Sequence, residues 1–155
     1  AHRKLAQWEQ EGRLKAVITQ NIDGLHQKAG SRKVLELHGS VLRNHCTRCG
    51  QFYGVERIVN SRGVPRCSCG GIIKPDVVLY EESLDEDVMA EAIHYIRQAD
   101  MLIIGGTSLV VYPAAGLVQY YRGHKLAVIN KGGAGSGLGA AVTVDAPIGQ
   151  VLAQL

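Results

Sequence analysis

The sequence has no apolar run that approaches the roughly 18 residues needed to span a membrane. Its first residues, Ala1-His2-Arg3-Lys4, lack the apolar stretch of a secretory signal peptide. Hydrophobic residues make up 46% of the chain and charged residues 20%, which is not the composition of a disordered protein. These absences predict a soluble, cytoplasmic protein without a membrane partner.

An initiating Met is also missing, and the chain opens directly in a helical pattern. Leu5 and Trp8 fall on one side of this helix and the polar residues 9–11 on the other. We therefore expect that further sequence precedes Ala1.

Basic tracts are absent as well. The formal net charge of +3 is spread along the chain, so we interpret the basic residues mainly as solvated surface. A nucleic-acid partner is not expected on this evidence.

Four short apolar runs predict β-strands. Because they do not alternate with polar residues, they suit strands that are covered on both faces, as in a parallel sheet. The runs are Lys15–Thr19, Met101–Ile104, Leu126–Ile129 and Ala141–Val144.

Helical patterns separate these strands. Ser83–Glu86 is typical of a capping box, and the apolar stripe after it predicts a helix to Ala99. Pro113 is predicted to open a helix that runs to Arg122 and stops at Gly123, and Pro147–Leu155 predicts a last short helix. Alternating strands and helices indicate an α/β fold with a doubly wound parallel sheet.

Residues 41–74 break this alternation and predict a small inserted metal module. Two cysteine pairs, Cys46/Cys49 and Cys67/Cys69, have the spacing that wraps one tetrahedral zinc ion. Two disulfides are the alternative, but the sequence has no secretory features. Four thiolates close the coordination sphere, so the zinc is predicted to be structural. His45 is a less favoured alternative ligand.

A polar cluster, Gln20 to His26, follows the first predicted strand. Amide and carboxylate groups at this end of a parallel strand suit recognition of a carboxamide or a ribose. The alternative is a capping loop in which Asp23 only opens a helix. Further on, His38 precedes Gly39, and an imidazole is suited to proton transfer near neutral pH. The functional interpretation requires His38 and residues 20–23 to face one crevice.

Six motifs occur in the order found in sirtuins, with compatible spacing, and together they span nearly all of the 155 residues. They are Thr19–His26, Glu36–Gly39, the two cysteine pairs, Lys74–Glu82, Gly106–Ala114 and Ile129-Asn130. The chain therefore resembles a bacterial-type sirtuin, an NAD-dependent protein-lysine deacylase. The resemblance implies a Rossmann-like domain formed by residues 1–40 and 75–155, with residues 41–74 as the zinc-binding module.

The resemblance also implies roles for individual residues. His38 would be the catalytic base, with Asn21 and Asp23 beside it. The NAD+ co-substrate would be bound by Gln20, Asn21, Ile22, Asp23, Gly106, Thr107, Ser108, Asn130, Lys131 and Ala146. An acyl-lysine protein or peptide would pair as a strand with Val78, Tyr80, Leu109, Val110 and Val111.

The mechanism implied by the resemblance begins when the acyl oxygen attacks C1′ of the nicotinamide ribose and nicotinamide leaves. His38 then removes a proton from a ribose hydroxyl, which attacks the imidate carbon. Free lysine and O-acyl-ADP-ribose are released. Since the base must be a neutral imidazole, activity is predicted to fall as His38 becomes protonated.

The sequence departs from the sirtuin pattern in three places, the least important being the short Cys67-x-Cys69 gap, which is expected only to adjust the local zinc geometry. The glycine-rich phosphate loop and the flexible cofactor loop, which follow the first strand in sirtuins, are absent, and Gly132–Gly139 contains no Gly-x-Gly-x-x-Gly. We therefore expect a Rossmann-like sheet that is incomplete at its N-terminus, and little activity from these residues alone. In addition, Tyr80-Glu81-Glu82 stands where the family usually has Phe-Gly-Glu, which predicts an altered substrate preference.

Two other functions are open at this stage. The same NAD+ pocket could serve protein mono-ADP-ribosyl transfer. Alternatively, the chain could be a non-catalytic zinc module that binds nucleic acid or protein through its arginines, with Phe52 and Tyr53. The second alternative leaves the motifs at residues 20–23 and at His38 unexplained.

Overall fold

Short apolar runs form strands where the sequence predicts them. The computed structural model describes residues 1–108, 110–132 and 138–155. Its elements are, in order, α1 (His2–Gln10), β1 (Val17–Thr19), α2 (Leu25–Lys28), β2 (Val34–Glu36), β3 (Gly39–Cys46), β4 (Phe52–Gly54), α3 (Val55–Val59), β5 (Ile73–Val77), α4 (Glu86–Gln98), β6 (Met101–Gly105), a 3₁₀ helix (Ala114–Tyr120), β7 (Lys125–Ile129), β8 (Val142–Val144) and α5 (Ile148–Leu152).

All of the predicted parallel strands are confirmed as parallel. β6, β7 and β8 form one sheet in that order, with Met101 opposite Lys125 and Ala127 opposite Val142. β1 pairs in parallel with β2, a strand that the sequence analysis missed. In the described residues these strands form two separate parallel sheets. The α/β, Rossmann-like fold class is confirmed.

A third sheet is antiparallel, in the order β4-β3-β5, and carries both cysteine pairs at one end. β3 and β5 cross the predicted boundaries of the zinc-binding module, at residues 40/41 and 74/75. The division into a Rossmann-like part and a module therefore stays a prediction. Residues 41–74, which contain all four cysteines, form the cysteine module.

Helix α4 begins differently from the prediction. Its N-cap is Asp85, whose carboxylate accepts hydrogen bonds from the N–H groups of Asp87 and Val88 at 2.9 and 3.0 Å. Ser83 is therefore not the cap, and the capping-box prediction is wrong by two residues. The Asp85 carboxylate reaches both free N–H groups of the first turn, which is sufficient to start the helix.

The segment after Pro113 is also corrected. It forms a 3₁₀ helix, not an α-helix, and Tyr121 rather than Gly123 ends it. The last helix is confirmed but covers only Ile148–Leu152.

Apolar side chains from helices and strands fill the core. Leu35 and Leu37 from the β2 region pack with Ala92 and Ile96 of α4 and with Leu117 of the 3₁₀ helix. A second cluster joins Trp8 of α1 to Ile129 and Leu152. Among the described residues, none of the helices has the length and apolar character needed to cross a membrane.

Candidate functional site

His38 lies at the edge of the β1–β2 sheet where both strands end. Thr19 and Glu36 are register partners in these parallel strands, so the residues that follow them emerge on the same side. Leu37 is 3% exposed, and its N–H donates to the Thr19 carbonyl at 2.9 Å. The half-buried His38 ring places Nδ1 3.1 Å from the Gln20 carbonyl oxygen. The imidazole therefore faces the loop after β1.

The Gln20 carbonyl also determines which nitrogen of His38 can accept a proton. A carbonyl oxygen only accepts hydrogen bonds, so the 3.1 Å contact requires the hydrogen to be on Nδ1. In the neutral ring, Nε2 is then unprotonated and can act as the base. The protein backbone itself orients this base.

Gly39 permits a close approach of two chain segments beside His38. Its φ is +75°, and a Cβ at this position would overlap the Asp76 carbonyl oxygen of β5. In addition, the Val78 N–H donates to the His38 carbonyl at 3.1 Å. Residues 38–39 are thus tied to the end of β5, and only glycine fits at position 39.

Gln20 also connects the two parallel sheets. The Thr107 hydroxyl donates to Gln20 Oε1 at 3.3 Å. Thr107 follows β6, and Gly106, with φ +66°, donates its N–H to the Ile129 carbonyl at 3.1 Å. Residues from three distant parts of the sequence, His38, Gln20 and Thr107, therefore lie together at the carboxyl ends of parallel strands. This is where doubly wound proteins bind ligands.

The other predicted cofactor residues also follow strands β6 to β8. Asn130 is half-buried and donates its backbone N–H to β8 at 3.1 Å. Ser108 and Lys131 are exposed, and Ala146 is half-buried. No described hydrogen bond joins any of these to His38, so their contact with NAD+ stays a prediction.

The loop after β1 shows mainly local contacts. Asp23 Oδ1 accepts a hydrogen bond from the Leu25 N–H at 2.9 Å, so the carboxylate does help to open α2. Asn21 is exposed, and its N–H donates to Thr19 Oγ1 at 3.1 Å. The half-buried Ile22 accepts from the Val41 N–H at 3.1 Å. A catalytic or cofactor-binding role for these residues stays a prediction.

The predicted substrate-binding residues lie on two segments. Val78 is half-buried directly after β5, whereas Tyr80 is 101% exposed. Val110 and Val111 are exposed, and Leu109 lies outside the described residues. Strand pairing with a substrate stays a prediction.

A turn fixes the chain between these substrate residues. Glu82 Oε2 accepts from the Leu79 N–H at 2.9 Å and from Lys74 Nζ at 3.2 Å. The Leu79 N–H, with Lys74 next in effect, lowers the pKa of Glu82. Lys74 Nζ also donates to the Val77 carbonyl at 3.0 Å.

Glu81 has a positive φ of +70°, at the position where the resembling family usually has glycine. Residues other than glycine rarely adopt this left-handed backbone conformation. The backbone of this turn therefore keeps the conformation that suits glycine although the side chain has changed.

The four cysteines converge on one point in the cysteine module. Their Sγ atoms all lie within 4.8 Å of one another. Cys46 Sγ is 3.5 Å from Cys69 Sγ, and Cys49 Sγ is 3.6 Å from Cys67 Sγ. Four sulfurs at 2.3 Å from one zinc ion would lie about 3.8 Å apart, so the group fits a closed tetrahedral zinc site.

Backbone turns and a tyrosine support this metal centre. Gly50 and Gly70 have positive φ, and their N–H groups donate to Cys46 and Cys67 carbonyls at 3.0 and 2.9 Å. The Tyr53 hydroxyl donates to Cys67 Sγ at 3.0 Å and lowers the pKa of that thiol to about 5. The deprotonated thiolate is the form that binds metal.

His45 is not part of the sulfur group, although it is next to Cys46. Its Nδ1 lies 2.7 Å from Asp76 Oδ1. The alternative in which His45 replaces a cysteine ligand is therefore not supported.

His26 is a buried group that the sequence analysis did not single out. Its ring packs edge-on against His2 at 4.5 Å, and its Nδ1 is buried without a hydrogen-bond partner. Burial lowers the pKa of His26, and the nearby His2 lowers it further. No local pattern predicted this, because the partner comes from α1.

The structure also shows two contacts near the site that the sequence analysis did not predict. The first is the ion pair between Lys74 and Glu82, which begin and end one of the six motifs, so their opposite charges eight positions apart were the signal that could have indicated it. The Thr107–Gln20 contact bridges 87 positions and has no signal in the sequence.

A cavity of about 440 Å³ lies at the opposite, amino-terminal ends of β6 and β7, between Arg97 and Lys125. It does not include His38 or Gln20, so we do not assign the chemistry of this site to it.

Comparisons with known proteins agree with this geometry. The family model described as Sir2 family matches residues 1–113. The chain is 58% identical to an NAD-dependent protein deacetylase of Clostridium perfringens, over 100% of this chain and 64% of that protein. For the protein of the same name from Clostridium acetobutylicum, the identity is 53%, over 98% of this chain and 63% of that protein.

Solved structures give the same result. A sirtuin structure concerned with substrate affinity matches with a TM-score of 0.92 and 41% identity, covering 99% of this chain and 68% of that one. A complex of Sir2 with a p53 peptide and NAD+ matches with a TM-score of 0.90 and 40% identity, covering 99% and 66%. Of the two Clostridium deacetylases, by contrast, the chain spans 64% and 63%, slightly less than two thirds of their length.

Proposed function

The chain belongs to the Sir2 family, and from this premise we propose that it acts as an NAD-dependent protein-lysine deacylase. One observation carries the proposal. The His38 ring is held by the Gln20 carbonyl at 3.1 Å, and the Gln20 side chain accepts from Thr107 at 3.3 Å, so a candidate base lies where two parallel sheets end.

The proposed base is Nε2 of His38. Because Nδ1 is engaged by the Gln20 carbonyl, Nε2 is the nitrogen that can take a proton from a ribose hydroxyl. The ring is half-buried and tied at both flanks, through Leu37 to β1 and through Val78 to β5. This preorganisation keeps the base in place without a conformational search.

The proposed co-substrate is NAD+, which supplies the ADP-ribosyl group that receives the acyl oxygen. The residues present fit such a ligand in two respects. Gln20 and Thr107 offer amide and hydroxyl groups at strand ends, and Asn130 offers a second amide after β7. The relative described as Sir2 with p53 peptide and NAD+ supports this assignment.

The proposed substrate is an acyl-lysine in a peptide that adds as a strand beside Val78 and Tyr80, and beside Val110 and Val111. These residues are half-buried or exposed, and they follow directly on β5 or lie beyond β6. Backbone pairing of this kind accepts many sequences, since the ladder uses main-chain groups. Relatives solved with acetylated peptide support the choice of substrate.

The cysteine module is proposed to hold one structural zinc ion through Cys46, Cys49, Cys67 and Cys69. It would fix the β3–β5 sheet that holds Gly39 and Val78 beside the base. Reduced thiols persist in a reducing compartment, so we also propose that the protein is cytoplasmic.

The test is a comparison of His38→Ala with the unchanged sequence, in a protein that contains these 155 residues. Each is incubated with NAD+ and an acetyl-lysine peptide, and the products are followed by mass spectrometry. We expect O-acetyl-ADP-ribose and free lysine from the unchanged protein, and a loss of about 10²-fold or more for the variant. His94→Ala, at an exposed histidine of α4, is the matched control and should retain activity.

Two outcomes would contradict the proposal. Equal turnover by His38→Ala and the unchanged protein would exclude the role of the base. ADP-ribose added to protein, without loss of acyl groups, would instead favour mono-ADP-ribosyl transfer.

A further inference from the structure

The positive charge of the chain is concentrated in the cysteine module. Residues 41–74 contain six cations, five of them arginines, and a single carboxylate, Glu56. The module therefore carries a formal +5, whereas the rest of the chain carries −2, since the total is +3. A zinc ion with four thiolates has a net charge of −2, which still leaves the module at about +3.

The two cations nearest the candidate active site are neutralised. Arg43 pairs with Glu36 at 2.7 Å, and Lys74 pairs with Glu82 at 3.2 Å. Within the described residues, the four arginines at the zinc end have no ion pair. They are Arg48, Arg57, Arg62 and Arg66. The unpaired charge thus lies at one end of the β4-β3-β5 sheet.

Three of these guanidinium groups are held in place by one loop, residues 66–70. Arg48 donates to the Cys69 carbonyl at 2.9 Å, Arg57 to the Arg66 carbonyl at 2.8 Å, and Arg66 to the Gly70 carbonyl at 3.0 Å. Each bond uses one of the five N–H donors of a guanidinium, and all three side chains are exposed. An exposed guanidinium group can bind a carboxylate through two parallel hydrogen bonds. Because these side chains are already held in place, less conformational entropy is lost on binding.

We propose that this arginine face, formed by Arg48, Arg57 and Arg66, binds an acidic segment of the protein substrate. The proposal rests on the proposed function, because it names a feature of the substrate of that same site. The loop at residues 66–70 continues through β5 to Val78, so one strand links the arginine face to the predicted peptide position.

The length of β5 and its flanking residues limits the distance between the acidic segment and the acyl-lysine of the substrate. Eight residues separate Gly70 from Val78, which is at most about 26 Å of extended chain. When the substrate is extended, the acidic segment is therefore expected within roughly eight residues of the acyl-lysine.

The same surface suits nucleic acid less well. Binding of single strands without sequence preference uses aromatic platforms among the cations. Here the Tyr53 hydroxyl is bonded to Cys67, and the Phe52 ring packs edge-on against His45 at 5.3 Å. The observations therefore favour carboxylates over bases as the partner.

The experiment measures binding without NAD+, so its result does not depend on catalysis. The probe is a fluorescein-labelled 20-residue peptide with acetyl-lysine near one end and four glutamates that begin about six residues away, so that they cover the separation of about eight residues. A second peptide has glutamines in place of the glutamates, and a third probe is single-stranded DNA of equal charge. Fluorescence anisotropy gives each Kd at low and at moderate salt.

The test variant is Arg48→Gln/Arg57→Gln/Arg66→Gln, which removes three positive charges and keeps a polar side chain at each position. The matched control is Arg3→Gln/Lys28→Gln/Arg122→Gln, which removes the same charge from exposed positions outside the module. A zinc content of one ion per chain confirms that both variants are folded in the module.

We expect the acidic peptide to bind at least about tenfold more tightly than the glutamine peptide, with this advantage reduced by salt. The test variant should lose the advantage and the control should keep it. Equal losses in both variants, or tighter binding of the DNA than of the acidic peptide, would overturn the proposal.

Discussion

The cysteine module and the parallel-strand region are stabilised in different ways. In the module, the buried apolar cluster has three members, Cys46, Cys67 and Ile73, and two of them are sulfur ligands. In the parallel-strand region, helices α1 and α4 cover the strands, and clusters around Ile96 and Trp8 form without any metal. A region with so few buried apolar side chains needs an additional source of stability, which the proposed zinc ion would supply.

Gly39 joins the two regions at the candidate active site. It begins β3, which ends at Cys46, and it follows His38 directly. One strand therefore connects the candidate base directly to the cysteine module. The predictions below separate the contributions of the two regions.

The largest effect is expected from removal of the metal. Structural zinc contributes roughly 10–16 kcal/mol to the folding of small zinc domains, so a chelator or Cys67→Ser should unfold the module. Hydrogen exchange should show lost protection in residues 41–74 and retained protection in α4 and β7. Gln51→Ala, an exposed neighbour of the ligands, is the control and should keep the zinc. Unfolding of α4 together with the module would show that the two regions are one cooperative unit.

Gly39→Ala should be the most damaging change at the junction. The added methyl group would overlap the Asp76 carbonyl, and the φ of +75° strains any side chain, so we expect a loss of at least about 1–3 kcal/mol. Gly63→Ala is the matched control. Its φ is +73°, but nothing lies within 4 Å of its Cβ position. Chemical denaturation should show the larger loss for Gly39→Ala, and equal losses would mean that strain alone, not the overlap, sets the cost.

Mild acid should destabilise the parallel-strand region through His26. Its pKa in the folded protein is lowered below the usual 6.5, so the unfolded chain takes up a proton first as the pH falls. Stability is thus retained above about pH 6.5 and decreases as the pH falls through the lowered pKa of the folded state. Thermal melts between pH 7.5 and pH 5 should show this decrease. His26→Gln should flatten the profile, whereas His124→Gln, at an exposed position, should leave it unchanged.

The smallest effect is expected at Glu81, in the turn between the two regions. Glu81→Gly should raise the free energy of unfolding by up to about 1 kcal/mol, because glycine adopts a φ of +70° without strain. Glu81→Ala keeps the strain and should give no gain. A stability gain from alanine equal to that from glycine would mean that the side chain, not the backbone, was unfavourable.

Sequence patterns predicted the features that depend on neighbouring residues. The four apolar runs became β1, β6, β7 and β8, and the spacing of the cysteines predicted a group of sulfurs that does converge. The same patterns placed the cap of α4 at Ser83 instead of Asp85, because both side chains can accept from a free helix N–H. They also missed β2, in which Glu36 interrupts the apolar run after only Val34 and Leu35.

The sequence by itself determined where four of the strands form, which cysteines approach one another, and which family the chain resembles. These features depend on side-chain periodicity and on short spacings, which are local. Only the tertiary structure decided that Nδ1 of His38 meets the Gln20 carbonyl, that Thr107 meets the Gln20 side chain, and that Arg48, on another segment, bonds to the loop at residues 66–70. The two Gln20 contacts join segments 18 and 87 residues apart, and their formation depends on how the sheets pack rather than on any one segment.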